Sequence, residues 1–397
     1  MVKKQPNHLL ETFFLIASFF PFVSFYPIGA DIQPIAGILA FIVIFKNVIY
    51  KEKKMDKGSF YMLVISFCAL FYIDPLKGGL DIRLGSVMSL FYGSLVYAAF
   101  YLSKRHLTLA LFSNIIRVYF GLSILLIVDF DTFTSLQGYI VRNVNSDGIS
   151  GARGILTLST EPGLFGGMLV AFLIVNDYLF ANNVRNKNIY YGNFAMILLM
   201  IIATKSGTGY MLFGFYLMIL VFFKKINWVI FFSSLLLLLL LQSVDISTFR
   251  GTQIITQLFQ DPAGIIKEDM SVLTRLFSLY FGVVSVFYYP LGVGINNINT
   301  DMWIIIESNN FLNSFPKNIN LSNTDSISLT SSFSTLTLMY GVMWWIFLYL
   351  IFFRFSNAQL IAKVFAMIFL MFSYSAAFPL IWILLNLKSA EGGFNAK

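Results

Sequence analysis

The chain has 397 residues, of which 58% are apolar and only 12% charged, with a mean hydropathy of +0.78. Globular domains carry about 25% charged residues, so this composition excludes an ordinary soluble protein, a disordered chain and a coiled coil. The net charge of +8 reads as a membrane-topology signal rather than a nucleic-acid surface, and the single cysteine, Cys68, excludes a disulfide or thiolate–metal framework.

A helix needs about 20 apolar residues to cross the hydrocarbon core. Runs of this kind recur along the whole chain. An N-terminal block, 1–129, holds runs at 9–28, 34–50, 59–74, 84–102 and 107–129. A central block, 160–242, holds runs at 160–180, 189–205, 208–223 and 227–242. A C-terminal block, 332–397, holds runs at 332–353, 359–375 and 377–387 and ends in a short tail. The expected fold class is all-α, a polytopic integral membrane protein of about twelve spans. The first run follows Lys3 and Lys4, lacks a small-residue cleavage site and contains Pro21, so it reads as an anchor rather than a signal peptide.

Charge orients these spans. One set of alternate loops carries Lys3, Lys4, Lys51, Lys53, Lys54, Lys57, Lys104, Arg105, Arg185, Lys187, Lys224, Lys225, Arg354 and Lys388. The other set carries most of the acids. By the positive-inside rule both termini are cytoplasmic, and two long segments, 130–160 and 243–331, lie on the opposite face. Within the second, an apolar stretch from Leu276 to Tyr289 ends at Pro290 and reads as an interfacial or re-entrant helix. No internal repeat is visible, which weakens a transporter built from inverted halves.

The two histidines, His8 and His106, fall on the cytoplasmic side. The opposite face then has neither histidine nor cysteine, which excludes a Ser-His-Asp triad, a cysteine nucleophile and a histidine-bound zinc there. Chemistry on that face must use carboxylates, hydroxyls and cations, with no metal or cofactor expected.

Cations are few on that face, and an arginine retained there against the charge bias calls for an anionic partner. Arg153 lies in Gly151–Ile155 (GARGI), shortly before Ser159–Gly163 (STEPG). Ser159 or Thr160 is the expected helix cap, and Pro162 suits the first turn. Arginine, helix start and the Glu161 carboxylate together suggest a diphosphate site with an adjacent base; the bland alternative is an Arg153–Glu161 salt bridge closing the loop. Thr204–Gly209 (TKSGTG) is a Gly/Ser break between spans carrying Lys205, without the spacing of a Walker loop. Arg275 opens the apolar stretch of the second long segment, and Tyr289–Asn297 (YPLGVGINN) follows it. Gly292 and Gly294 would let backbone amides approach a ligand. Arg117 falls inside a span and reads as an interhelical pair rather than a substrate ligand.

An arginine before an S-x-E-P helix start, a T-x-S-G-T-G break, and a long late loop with an arginine and a P-L-G-V-G turn resemble, in that order, the O-antigen polymerase and O-antigen ligase superfamily. The resemblance covers roughly residues 150–345. It implies a membrane glycosyltransferase (GT-C-like) architecture in the bacterial inner membrane, with both long segments periplasmic. It implies undecaprenyl-diphosphate-linked oligosaccharides as donor and acceptor, with membrane lipids, a chain-length regulator and a flippase as partners and no nucleic acid. In that family periplasmic arginines grip the diphosphate, and Arg153 and Arg275 occupy those motif positions. Lys205 and Arg142 are the next cations in line. Glu161 or Asp325 is the expected proton acceptor. The ligase branch carries a histidine–asparagine pair before a glycine that opens a late span; here the glycine is Gly341, the stretch is Leu329–Ser332, and the histidine is missing. That departure favours a polymerase over a ligase transferring glycan to lipid A core. The concentration of charge in two loops favours an enzyme over a flippase or other transporter.

Overall fold

The computed structural model describes residues 8–26, 32–50, 54–71, 84–142, 154–182, 186–222, 270–294, 298–309, 312, 329, 331–372 and 374–388. The span expected at 227–242 lies outside them, as do Arg153 and Asp325. Regular structure among the described residues is helical, apart from two isolated bridges, Val23 with Val141 and Ala358 with Lys388.

In chain order the described helices begin with α1 (Leu9–Phe19), α2 (Ile35–Phe45, continued by a π-helical turn, Lys46–Tyr50), α3 (Lys57–Ala69), α4 (Leu84–Ser103) and α5 (Leu109–Val128). There follow α6 (Phe130–Gln137), α7 (Pro162–Ala181), α8 (Lys187–Ala203) and α9 (Gly207–Phe222). The last group is α10 (Met270–Tyr288), α11 (Ile298–Ser308), α12 (Ser332–Tyr340), α13 (Val342–Tyr349, continued by a π-helical segment, Leu350–Phe355), α14 (Leu360–Phe372) and α15 (Pro379–Leu384). Two of them, α5 and α7, are long and apolar enough to cross a membrane, with mean hydropathies of 2.0 and 1.8. Most of the others are shorter apolar helices. The chain divides into two compact units: Met1–Ser18, Pro34–His106 and Ala263–Lys388 form unit 1, and Phe19–Gln33, Leu107–Pro262 and Ser389–Lys397 form unit 2.

In unit 1, α4 packs against α2, α3 and α15. Polar contacts fix which helix ends lie together. The buried Glu11 carboxylate near the start of α1 takes Lys46 Nζ and Asn47 Nδ2, each at 3.2 Å, from the π-helical end of α2. The ring of His8, before α1, lies against that of His106, after α4, with centroids 4.1 Å apart and planes tilted by 31°. These contacts gather the start of α1 and the ends of α2 and α4 at one end of the unit.

Unit 1 also departs from the sequence expectation. The stretch from Leu276, expected as an interfacial or re-entrant helix, is helical and begins earlier, within the 19-residue α10. It packs along α12 through small residues. A Cβ on Gly282 would come within 2.8 Å of Ser334, whose hydroxyl donates to Ser278 O, and Ser331 N donates to Ser278 Oγ at 3.3 Å. Close approach through glycine and serine is how helices pack where water provides no driving force. The helix α11, inside the polar segment, was not expected. The run expected as one span at 332–353 is broken at Gly341, which has φ +55.

Unit 2 is built around α7, which is buried on every side from Phe165 to Asn176 and packs against α8 and α9. At its far end Asp177 accepts the hydroxyls of Tyr190 (3.0 Å) from α8 and Tyr216 from α9, and Asn193 donates to Asn176 at 3.0 Å. One carboxylate and one amide pair thus tie three helices together. The expected loop 130–160 opens with a helix instead. Asp129 ends α5 and its side chain accepts from Thr132 N at 3.2 Å, capping α6. The run expected at 9–28 stops at Phe19, because Phe20 precedes Pro21 and is pushed out of the helical region. The chain then turns, and Ser24 N donates to Ile140 O at 2.9 Å.

Candidate functional site

Two of the sequence motifs meet in unit 2. The segment entering α7 lies against the break between α8 and α9. Ile155 N donates to Ala203 O at 3.0 Å, and a Cβ on Gly154 would fall on the backbone of Thr204. One turn further on, α7 and α9 cross at two glycines: a Cβ on Gly166 would lie 2.7 Å from Gly209 Cα. The Gly/Ser break therefore forms one junction with the segments on either side of STEPG, held by close backbone contacts at Gly154, Gly166 and Gly209.

Each strand of the junction contains one non-glycine residue with positive φ, Thr157 at +45° and Lys205 at +48°, and these are the two such residues described. Left-handed backbone at a β-branched or long side chain costs on the order of 1–3 kcal/mol and persists only where the surroundings fix it. Around Lys205 the fixing groups are local. Thr204 Oγ1 donates to Ile201 O at 2.6 Å and accepts from Ser206 N at 3.3 Å, while Ser206 Oγ accepts from Gly209 N at 3.3 Å and caps α9. Around Thr157 they come from other helices. Its hydroxyl pairs with Ser123 Oγ of α5 at 2.8 Å, and its carbonyl accepts from Gln137 Nε2 of α6.

The helix start itself differs in detail from the expectation. Pro162 occupies the first turn, but the cap residue is Glu161, with extended backbone, rather than Ser159 or Thr160. Glu161 O accepts both Phe165 N (3.0 Å) and Ser159 Oγ (3.2 Å). Its side chain makes no capping hydrogen bond and is exposed. Lys205 is exposed as well. A carboxylate and an ammonium thus stand at the surface of a junction whose backbone is rigidly fixed. An exposed ammonium can hold an anionic group and an exposed carboxylate can accept a proton.

Arg142 belongs to the same unit, half-buried, one residue after Val141, which bridges Val23. Arg117, expected as an interhelical pair, lies on the exposed face of α5 and makes no such pair among the described residues.

Unit 1 holds the second motif. Arg275 is half-buried on α10. The turn after α10 docks into the break at Gly341. Val293 N and Gly294 N donate to Leu338 O (2.9 Å) and Met339 O (3.0 Å), and Gly292 N donates to Tyr289 O (2.9 Å). The amides at Gly292 and Gly294 are therefore engaged with the chain itself, and the glycines serve close backbone packing rather than an open ligand cradle. Tyr289 donates to Asp301 Oδ1 of α11 at 3.1 Å, and Asp301 is only 4% exposed. Burial first, then the Asp301 charge and the hydrogen bond to it, push the Tyr289 hydroxyl above its ordinary pKa of 10.0.

No family model matches the chain, and no curated protein and no solved structure matches it. Sequence reasoning singled out Glu161 and Lys205, but it missed Ser123, Gln137 and Thr157, which hold the junction. Nothing in the pattern around them marks a left-handed threonine. Asp301 stood out only as one acid among many.

Proposed function

We propose that the chain is an inner-membrane glycosyltransferase of about twelve spans, GT-C-like in architecture, which joins undecaprenyl-diphosphate-linked repeat units into a surface polysaccharide on the periplasmic face. The observation that carries this reading is the junction in unit 2. The residues on either side of the Ser159–Gly163 motif, Gly154, Ile155 and Gly166, pack on Ala203, Thr204 and Gly209 some forty residues on, and Glu161 and Lys205 of the two segments are both exposed. The membrane setting is supported by α5 and α7, and by outward apolar faces such as Ile38, Phe41, Ile42 and Phe45 on α2, which would be poorly placed in water.

In this reading the donor's diphosphate is held by Arg153, in the motif preceding the junction, and by Lys205 beside it, with Arg142 the next cation. Arg275 keeps the diphosphate role that its motif position implies. A hydroxyl of the acceptor repeat unit attacks C1 of the donor sugar. The C1–O bond to the diphosphate breaks, the diphosphate leaves with the electron pair, and the cations stabilise its growing charge. Glu161 takes the proton from the attacking hydroxyl, a contribution of about 10²–10⁴-fold when the base is well placed. Asp325 is the alternative acceptor. A flippase supplying the lipid-linked unit and a regulator of chain length are the proposed partners.

The test is deletion of the gene in its own host. Surface glycan reduced to a single repeat unit, with restoration by the wild-type gene and not by Glu161→Gln at equal membrane level, is the expected result. A deletion strain with glycan of unaltered length overturns the proposal.

A further inference from the structure

Gln137 closes α6 and is 1% exposed. One side-chain amide serves two carbonyls: its Nε2 donates to Thr157 O and, at 3.4 Å, to Ser159 O. Its Oε1 is buried without a partner among the described residues, so the carboxamide is oriented by its donors alone. Both carbonyls belong to the short stretch that includes the left-handed Thr157 and leads into α7. Thr157 is 0% exposed, and Ser123 holds its hydroxyl from the opposite side. Ser159 in turn donates to the Glu161 carbonyl at 3.2 Å. Hydrogen bonds from the one amide of α6 therefore reach both Thr157 and Ser159, and Ser159 in turn bonds the residue that caps α7.

We propose that Gln137 is a positioning residue: by holding Thr157 in the left-handed conformation it sets the angle at which the chain enters α7, and so the place of the Glu161 carboxylate. The chemical consequence rests on the reading of Glu161 given above, whereas the positional part stands without it. A threonine released from the clamp relaxes to negative φ, and a change of that size two residues before Ser159 re-aims the helix start. Glycine at the same position adopts positive φ unaided, so Thr157→Gly should make the clamp dispensable.

The experiment separates position from chemistry. Cys68→Ser removes the one cysteine, and Glu161→Cys places a unique thiol at an exposed site. Its rate of modification by a membrane-impermeant maleimide reports where position 161 stands. Gln137→Leu should change that rate by about fivefold or more, since thiol reactivity follows exposure and local charge. Adding Thr157→Gly should bring it back to within about twofold. Should the leucine variant fail to accumulate, Gln137→Asn, which keeps the amide but shortens its reach, gives the same comparison. With Glu161 restored, Gln137→Leu should lower turnover while leaving KM for the lipid-linked unit in place, and Thr157→Gly should rescue it. An unchanged labelling rate in Gln137→Leu, or a changed rate that Thr157→Gly does not restore, overturns the positioning role. A shifted and rescued labelling rate with unaltered turnover upholds the positioning role and overturns the chemical role of Glu161.

Discussion

Val342 donates its amide to the carbonyl of Pro290, at 2.8 Å, instead of to Leu338 one helical turn back. Leu338 O receives Val293 N in exchange, and Met339 O receives Gly294 N. The break at Gly341 is thus a complete trade of hydrogen bonds between a helix and a turn that lies far away in sequence. The amide and the two carbonyls named here thus find new partners across the break, as buried backbone groups require.

This trade predicts a large effect from small substitutions. Gly341 has φ +55 and Gly292 has φ +80, and a Cβ on either would fall on backbone of the facing segment, Pro290 or Met339. Backbone cannot swing aside as a side chain can. Gly341→Ala and Gly292→Ala should each destabilise the protein by about 1–3 kcal/mol or more, read as a lowered melting temperature in detergent. An unshifted melt in both variants contradicts the docked turn.

The crossing of α7 and α9 makes a graded prediction. A Cβ on Gly166 would lie 2.7 Å from Gly209 Cα, whereas a Cβ on Gly209 would lie 3.1 Å from Gly166 Cα. Gly166→Ala should therefore cost more than Gly209→Ala, and Gly166→Leu more than either, within the range of about 1–3 kcal/mol or above for overpacking. Melting temperatures of the three variants check the order.

The Tyr289–Asp301 pair gives a signed pH dependence. The Tyr289 pKa is raised in the folded chain, by burial first and by Asp301 second. The stability it contributes is fully present below the unfolded value of about 10 and is lost as pH rises through the higher folded value. Tyr289→Phe should therefore lose less stability than wild type when the pH is raised past about 10. At neutral pH, Asp301→Ala should cost about 1–3 kcal/mol, because it strips a buried hydrogen-bond partner. Parallel alkaline titration curves for wild type and Tyr289→Phe contradict the pairing.

The proposed diphosphate contact distinguishes charge from geometry. Lysine keeps the charge of arginine but loses the planar fork that holds two phosphate oxygens. Arg153→Lys and Arg275→Lys should each shorten the polymer strongly at near-normal protein level. Polymer of wild-type length from both variants moves the contact to Lys205 and Arg142.

The helical character of the chain was legible in the sequence because apolar runs report burial or lipid contact directly. The grouping of helix ends in unit 1 was legible too, because Lys and Arg cluster where Glu11, Lys46, His8 and His106 come together. Pro21 carried the information that stops α1 at Phe19, but the apolar run through Phe25 and Tyr26 masked it. The break at Gly341 was hidden for a different reason. Its cause lies in the Pro290–Gly294 turn, and hydropathy averages over a single glycine. In the candidate site, Glu161 and Lys205 were legible from residue type and motif order. Their support was not, because a left-handed Thr157 held by Gln137 and Ser123 is a tertiary arrangement of three residues that are ordinary in any polar segment.

The most direct test of the central claim is reconstitution. Purified protein in liposomes is given its host's undecaprenyl-diphosphate-linked repeat unit as donor and acceptor, with a chelator present and no divalent metal added, and the glycan products are resolved by length. The account predicts a ladder of repeat multiples that is lost in Glu161→Gln and shortened in Arg153→Lys. Recovery of the single repeat unit alone from folded wild-type protein, with or without added metal, would contradict it.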